Sequence, residues 1–255
     1  MCYHNSLKTI CQPDNPKFDS VNKLPKKIET IFHVNGFTYP LWQVEILNHE
    51  SGIQESKNFN WGLIPSFSRN EKEAYQIRSG TLNARMETLH EKPSFKENIE
   101  KRRCLVKSSG FFEWREYQGK KYPYFIQLKD REIFSFAGLY DCWKNPETDE
   151  IVNSFSIITT KANELMEKIH NTKKRMPAIL EIGEEEAWLS KKLNGREIDN
   201  LLKPYSADKM ESKTVSMLIG KRKTDTNVAE VQQEYFYKNL PNLEVKTPEQ
   251  LNFGF

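Results

Sequence analysis

The stretch from Gly110 to Tyr140 reads GFFEWREYQGKKYPYFIQLKDREIFSFAGLY. It is dense in Phe, Tyr and Ile, residues that fit a pleated, half-buried surface. Gly110 to Glu116 reads as one strand. The segments 122–129 and 132–140 read as a hairpin, with Lys129-Asp130-Arg131 near its turn. Working outward, Leu41 to Leu47 reads as a strand entered through Pro40. Gly52 marks the hairpin connection within 50–58, and Asn60 to Pro65 is a short apolar piece ended by proline. Ser66 to Gly80 reads as a polar loop, and Leu89 to Lys101 as a short helix after Pro93. Arg103 to Lys107 and Phe155 to Thr159 read as strands, and Lys213 to Ile219 as a late one. Ala162, Leu165, Met166 and Ile169 recur at helical spacing, which predicts an amphipathic helix over 161–170. Residues 184–192 and 196–202 read as two more short helices. Many strands with few helices, and no regular β-α alternation, predict a single α+β domain.

The chain has 255 residues, enough to bury roughly 70–75% of its unfolded surface. The domain is expected over 1–238, with residues 5–30 as an irregular arm and 239–255 as an extended tail. A formal net charge of +3 does not by itself indicate nucleic acid. Three basic runs, Lys101-Arg102-Arg103, Lys173-Lys174-Arg175 and Lys221-Arg222-Lys223, read as solvated surface unless the fold brings them together. The four cysteines, Cys2, Cys11, Cys104 and Cys142, form no C-x-x-C pair and have no zinc spacing. No metal and no cofactor are expected. Sparse cysteines, no apolar leader and no apolar run of about 20 residues predict a cytoplasmic protein without membrane contact.

Four places carry chemistry. Cys2, once Met1 is removed, holds a thiol and an α-amine on adjacent carbons. The amine can form a Schiff base with an aldehyde, and the thiol can close on the imine carbon to give a thiazolidine. Against this stands an ordinary buried cysteine. Asn83 and Arg85, two apart on a strand, share a face where an amide can orient a reacting group and a guanidinium can grip a phosphate; a plain solvated face fits the same pattern. Glu113 lies among Phe111, Phe112 and Trp114, where desolvation would make it a proton donor and acceptor near neutral pH. A Glu pointing to water fits the alternation equally. His170 ends the amphipathic helix before a basic loop and can shuttle protons, or simply cap the helix.

Taken in order, Met1-Cys2, Trp61-Gly62-Leu63-Ile64-Pro65, Asn83-Ala84-Arg85 with Glu87-Thr88, and Gly110 to Trp114 resemble the SRAP family. The match continues through Tyr122-Pro123-Tyr124-Phe125, Ala137 to Tyr140, Ile157 to Thr160 and Ile169-His170 with Arg175-Met176-Pro177, out to about residue 232. The resemblance implies an α+β single domain of mixed, mostly antiparallel sheets, with a barrel-like core and a few short peripheral helices. It implies an abasic-site processing protein acting on single-stranded DNA. Cys2 would form the thiazolidine crosslink, Asn83 would orient the adduct, Glu113 would move protons, and His170 would help ring opening and reversal. Arg85 and Arg175 would bind phosphates, with Trp61 lining the site; Pro40, His4 and Phe67 complete the expected DNA-contacting set. Two departures stand out. Tyr3-His4 replaces a common Gly-Arg, so His4 can meet a phosphate only when protonated or as a neutral donor. The usual pair of tryptophans after the W-G-x-x-P piece is missing, and Phe67 offers the stacking surface instead. A monomer is expected, with replication-fork partners and, in a bacterium, association with the nucleoid. A thiol peptidase using Cys2, Glu113 and His170, in its narrowest form acting only on its own Met1, and a non-covalent single-strand binder are the competing readings. The first would need an oxyanion hole that no motif identifies.

Overall fold

The shortest loop of the aromatic stretch settles its pairing. In this computed structural model, which describes residues 2–8, 30–48, 50–221 and 224–243, Tyr117 pairs with Lys120 across Gln118-Gly119. Both turn residues have positive φ, 49° and 72°, the two-residue geometry whose twist matches that of its strands. The hairpin is therefore β7 (Gly110–Tyr117) with β8 (Lys120–Leu128). The hairpin expected between 122–129 and 132–140 does not form. The second edge of β8 is taken by β12 (Met210–Thr214), and β9 (Phe134–Lys144) joins a different sheet. Lys129-Asp130-Arg131 is a crossover between sheets, held where Arg131 Nη2 donates to Leu180 O at 2.6 Å.

The first sheet has five strands in the order β12-β8-β7-β1-β2, with β1 at His4–Leu7 and β2 at Ile31–Asn35. The beginning of the expected arm is thus a paired strand; residues 9–29 of that arm lie outside the described residues. The second sheet closes on itself. β3 (Leu41–Leu47) pairs with β4 (Gln54–Trp61) and with β6 (Arg103–Ser108), β6 pairs with β9, and β9 pairs with β10 (Ile151–Lys161). A short parallel pairing of β10 with β4, Ser154 to Asn60 and Phe155 to Trp61, closes a barrel of five strands. Two short strands extend β10 beyond the barrel: β5 (Asn83–Arg85), parallel, and β11 (Arg175–Pro177), antiparallel. Mixed sheets, mostly antiparallel, around a barrel with short helices make this the α+β single domain that was expected.

The main core lies between the barrel interior and the inner face of the five-stranded sheet. It includes Trp42, Val44, Trp61, Val106, Phe155 and Ile157 from the barrel, with Cys2, Phe111 and Ile126 from the other sheet. A second core, around Leu105, Leu139 and Trp188, packs α2 (Asn98–Lys101), α4 (Glu184–Leu189) and α5 (Gly195–Leu201) on the barrel exterior. Cover on both faces suits the Cys104-Leu105-Val106 run of β6 and the mostly apolar sequence of β9.

Two further expectations need correction. The supposed loop 66–80 contains the helix α1 (Glu71–Arg78), capped where Asn70 accepts from Glu73 N at 2.9 Å. Its apolar residues are too few to show a stripe. The late strand expected over 213–219 is β12, ending at Thr214, followed by a 3-10 turn over Met217–Gly220. Of the expected tail, Leu240 and Leu243 pack on the main core and Arg115 Nη1 donates to Pro241 O at 2.6 Å; residues 244–255 lie outside the described residues.

Gly138 shows how full the barrel is. A Cβ there would stand 2.7 Å from Val106 Cγ2 and 2.9 Å from Cys104 Sγ. Gly138→Ala should therefore destabilise the protein by about 1–3 kcal/mol, read as a Tm lowered by several degrees; an unchanged Tm would mean the barrel has room that its packing denies.

Candidate functional site

Strand registers decide which predicted residues can meet. Trp61 is opposite Phe155 on β10, Asn83 is opposite Ile157, Arg85 opposite Thr159, and Arg175 opposite Lys161. These β10 positions are two apart, so all four side chains start from one face of the sheet, the face that lines the main core. On the other sheet, Asn5 is opposite Phe111, and Glu113 is two residues further along β7. Asn5, Phe111 and Glu113 hence share the inner face, where Cys2 also packs. His4 alternates with Asn5 and lies on the outer face.

Cys2 is fully buried, and its Sγ contacts His4 O at 3.8 Å. Burial, and secondarily the charge of Glu113, push its thiol pKa far up. The resting group is a neutral thiol that needs a base. Glu113 is buried as well, and burial pushes its carboxyl up to about 7, with positive charge at the amino terminus and the Trp114 backbone N–H pulling the other way. A carboxyl with that pKa both gives and takes protons near neutrality. His170 stands behind it, with Nδ1 3.8 Å from Glu113 Oε1. Burial first, and then surrounding positive charge that includes Lys173 and Arg175, hold His170 down to about 4, so its ring is neutral. Nδ1 meets the carbonyl of Arg175 at 2.9 Å. A carbonyl only accepts, so Nδ1 carries the hydrogen and Nε2 is the basic nitrogen.

His170 is placed by local structure. Helix α3 (Glu164–Ile169) starts where Asn163 accepts from Met166 N at 2.8 Å, and His170 N closes it on Met166 O at 2.7 Å. The next residue, Asn171, accepts from Glu116 N at 3.0 Å and donates to Glu116 O at 2.8 Å. That two-point clamp ties the basic loop to β7 and brings His170 to Glu113.

Asn83 is buried, and neither its Oδ1 nor its Nδ2 has a hydrogen-bond partner among the described residues. A donor and an acceptor left unused in a core carry a cost that a bound ligand can remove. Beside it, Arg175 is buried; its Nη2 donates to Thr159 O at 2.5 Å and its Nη1 pairs with Glu87. Arg85 is the exposed member, 3.9 Å from Glu87 by its Nε. Glu87 therefore joins the two arginines. Burial works against its charge, yet Arg175 and then Arg85 hold its pKa below the usual carboxylate range. No local pattern marks Glu87 or Thr159 for a role; only the approach of β11 to β10 gives them one.

The remaining candidates sit further out. His4 Nδ1 meets His33 Nε2 at 2.7 Å, the rings stack at 5.0 Å, and Trp114 edges onto His4 at 4.6 Å. Burial and then His33 push the His4 pKa down to about 3, which leaves it neutral and turned away from Glu113. Trp61 is fully buried, donating Nε1–H to Leu82 O at 2.9 Å, and so floors the site rather than facing outward. Pro40 O accepts from Trp61 N at 2.9 Å, and Phe67 is exposed. Of the basic runs, Arg102 pairs with the buried Asp141 at 3.3 Å and Arg103 caps carbonyls such as Trp188 O at 2.7 Å. Lys173 and Lys174 are exposed, and Arg222 and Lys223 lie outside the described residues, as does Met1. Among the described residues no group of three or more His, Cys, Asp or Glu could hold a metal, and no helix is long and apolar enough to cross a membrane.

The family model of SOS response associated peptidase (SRAP) matches residues 4–222. The abasic site processing protein YoqW of Bacillus subtilis is 42% identical over 183 residues, covering 71% of this chain and 78% of that protein. HMCES of Gallus gallus, also called an abasic site processing protein, is 33% identical over 191 residues, covering 66% of this chain and 55% of its own. A crystal structure of a Bacteroides thetaiotaomicron protein superposes with a TM-score of 0.80 at 41% identity, over 92% of this chain and 100% of that one.

The raised Glu113 pKa has a measurable consequence for stability. Below pH 4.5 the carboxyl is protonated in both folded and unfolded chains and costs nothing. As pH rises toward 7 the unfolded chain loses this proton first, so stability falls, and the full penalty persists above 7. Glu113→Gln stays neutral throughout. Its stability relative to wild type should rise between pH 4.5 and 7 and level off at up to about 3 kcal/mol, at about 1.4 kcal/mol per pKa unit. Urea denaturation at pH 5 and pH 8 checks this; equal differences at both would show that Glu113 is not desolvated.

Proposed function

Since the chain belongs to the SOS response associated peptidase (SRAP) family, we propose that it processes abasic sites in single-stranded DNA, forming a covalent thiazolidine link through Cys2. The observation that carries this reading is Glu113, a buried carboxyl with a pKa raised to about 7 whose charge acts directly on the Cys2 thiol. A nucleophile held neutral by burial needs such a partner.

The chemistry balances without an external reagent. With Met1 removed, the α-amine of Cys2 adds to the aldehyde carbon of the ring-opened sugar, forming a C–N bond, and a proton moves from nitrogen to oxygen. Loss of that oxygen as water gives an imine. The thiol then adds to the imine carbon, forming the C–S bond, and its proton goes to nitrogen. Each step asks for a group that takes one proton and returns it, the service a carboxyl of pKa about 7 gives at neutral pH. His170, neutral with a basic Nε2, supports the proton traffic of ring opening and reversal. The unpaired amide of Asn83 would hold the opened sugar in place. Arg85, and Arg175 if it releases Glu87, would hold flanking phosphates. The names of the relatives support the processing of abasic sites; the crosslink through Cys2 and the roles of the site residues rest on the chemistry of these groups.

Mature protein mixed with single-stranded DNA carrying one abasic site should give a band that survives denaturation without borohydride. Cys2→Ala should abolish it. Glu113→Gln should slow its formation about 10²-fold and remove a rate limb centred near pH 7, and His170→Ala should slow release. Persistence of the band in Cys2→Ala, or its absence from protein whose mass shows Met1 gone, would sink the proposal.

A further inference from the structure

A cation with no ion-pair partner among the described residues lies beside the candidate site. Arg78, the last residue of α1, is buried, and its Nε and Nη2 have no hydrogen-bond partner among the described residues. No described ion pair uses it, and the groups that act on its charge are two tyrosines. Its guanidinium lies 4.3 Å from the Tyr39 ring centroid and 5.8 Å from that of Tyr75. Stacking on aromatic faces compensates a buried guanidinium only in part, and burying a charge without a partner is costly.

The surroundings connect this cation to both halves of the site. Tyr39 has a left-handed backbone, φ 52°, a conformation uncommon outside glycine that persists where the surroundings enforce it. It follows the 3-10 turn Gly36–Thr38, whose Gly36 N donates to Tyr3 O at 2.7 Å, one residue from Cys2. On the other side, Thr81 N donates to Arg78 O at 3.2 Å, two residues before Asn83. A Cβ on Gly62, next to Trp61, would come within 2.9 Å of Arg78 Cγ; the absence of a side chain there leaves the arginine its seat. Nη1 makes no described hydrogen bond and is not among the buried atoms, so the fork reaches the surface between exposed Tyr75 and half-buried Tyr39.

We infer that Arg78 binds a backbone phosphate of the DNA strand next to the abasic nucleotide, with Tyr39 and Tyr75 holding its guanidinium plane. This rests on the reading that the site takes single-stranded DNA. The phosphate supplies the missing counter-charge, and a planar fork grips two of its oxygens at once.

The test uses the full chain and a single-stranded oligonucleotide with one abasic site, measured as crosslink formed against DNA concentration and salt. For Arg78→Met the half-saturating DNA concentration should rise about tenfold, with the rate at saturating DNA unchanged. Measured without the covalent step in a Cys2→Ala background, the slope of log affinity against log salt should shrink by about 0.7, the value of one phosphate contact to a single strand. The Tm of Arg78→Met should be unchanged or higher, since methionine removes an uncompensated buried charge. A lowered Tm with unchanged half-saturation and salt slope would make Arg78 a structural residue and overturn the inference. Should Arg78→Met not fold, Arg78→Lys decides: it keeps the charge but not the fork, so a several-fold rise in half-saturation supports the inference and no change overturns it. Failure of the unmodified protein to crosslink at all would count against the proposed function, and binding in the Cys2→Ala background would still judge Arg78.

Discussion

Strand β10 is bonded along both edges, and the site depends on that constraint. One edge carries β9 and then β11; the other carries β4 and then β5. Its first half closes the barrel. Its second half runs past the barrel and collects two three-residue strands that could not stand alone. Side chains alternate along a strand, so positions 155, 157, 159 and 161 share a face, and each brings one neighbour from a distant part of the chain. Trp61, Asn83, Arg85 and Arg175 meet for this reason alone. The parallel pairing of β5 to β10 also explains why so short a strand is stable: its backbone groups are paired inside an existing sheet.

Facing this sheet is the inner side of the other one, which carries Cys2, Asn5, Phe111 and Glu113. The groups between are buried, and burial governs their chemistry. It holds the Cys2 thiol protonated and His170 neutral, and it brings the Glu113 carboxyl to the point where it exchanges its proton near neutral pH. Stability is given up in the process, through a desolvated carboxyl and, among the described residues, an amide with no partner and a guanidinium with no anion. Natural folds keep few unpaired buried groups, and those of Asn83 and Arg78 lie on neighbouring segments, with Thr81 N bonded to Arg78 O two residues before Asn83. Arrangements that weaken the empty protein and are relieved by a ligand are characteristic of sites built to bind.

The same alternation separates His4 from the centre. One residue before Asn5, it faces outward into a histidine pair capped by Trp114. Position near Cys2 in sequence did not mean position near it in space. Arg78 is the opposite case. It lies in a segment with no visible pattern, read as a loop, and is brought to the site by a helix whose cap, Asn70, is its one clear local signal.

Much of this protein was legible from its residues. The strands of the Gly110–Tyr140 stretch, the α+β class and the helix ending at His170 follow from periodicity and turn residues, and the candidate reactive groups from motif order, all of them local properties. The pairing of those strands was not local. A two-residue turn at Gln118-Gly119 moved the hairpin one strand earlier than aromatic density suggested, and β8 and β9 went to different sheets. Nor could the chain alone say whether Glu113 faced water or core, since either face of β7 satisfies the alternation. That was decided by β1 and the closed barrel covering one side of it. By itself the sequence determined which chemical groups exist and which elements carry them. Only the tertiary structure decided which of them are stripped of water together, because desolvation is set by contacts between residues a hundred or more apart in the chain.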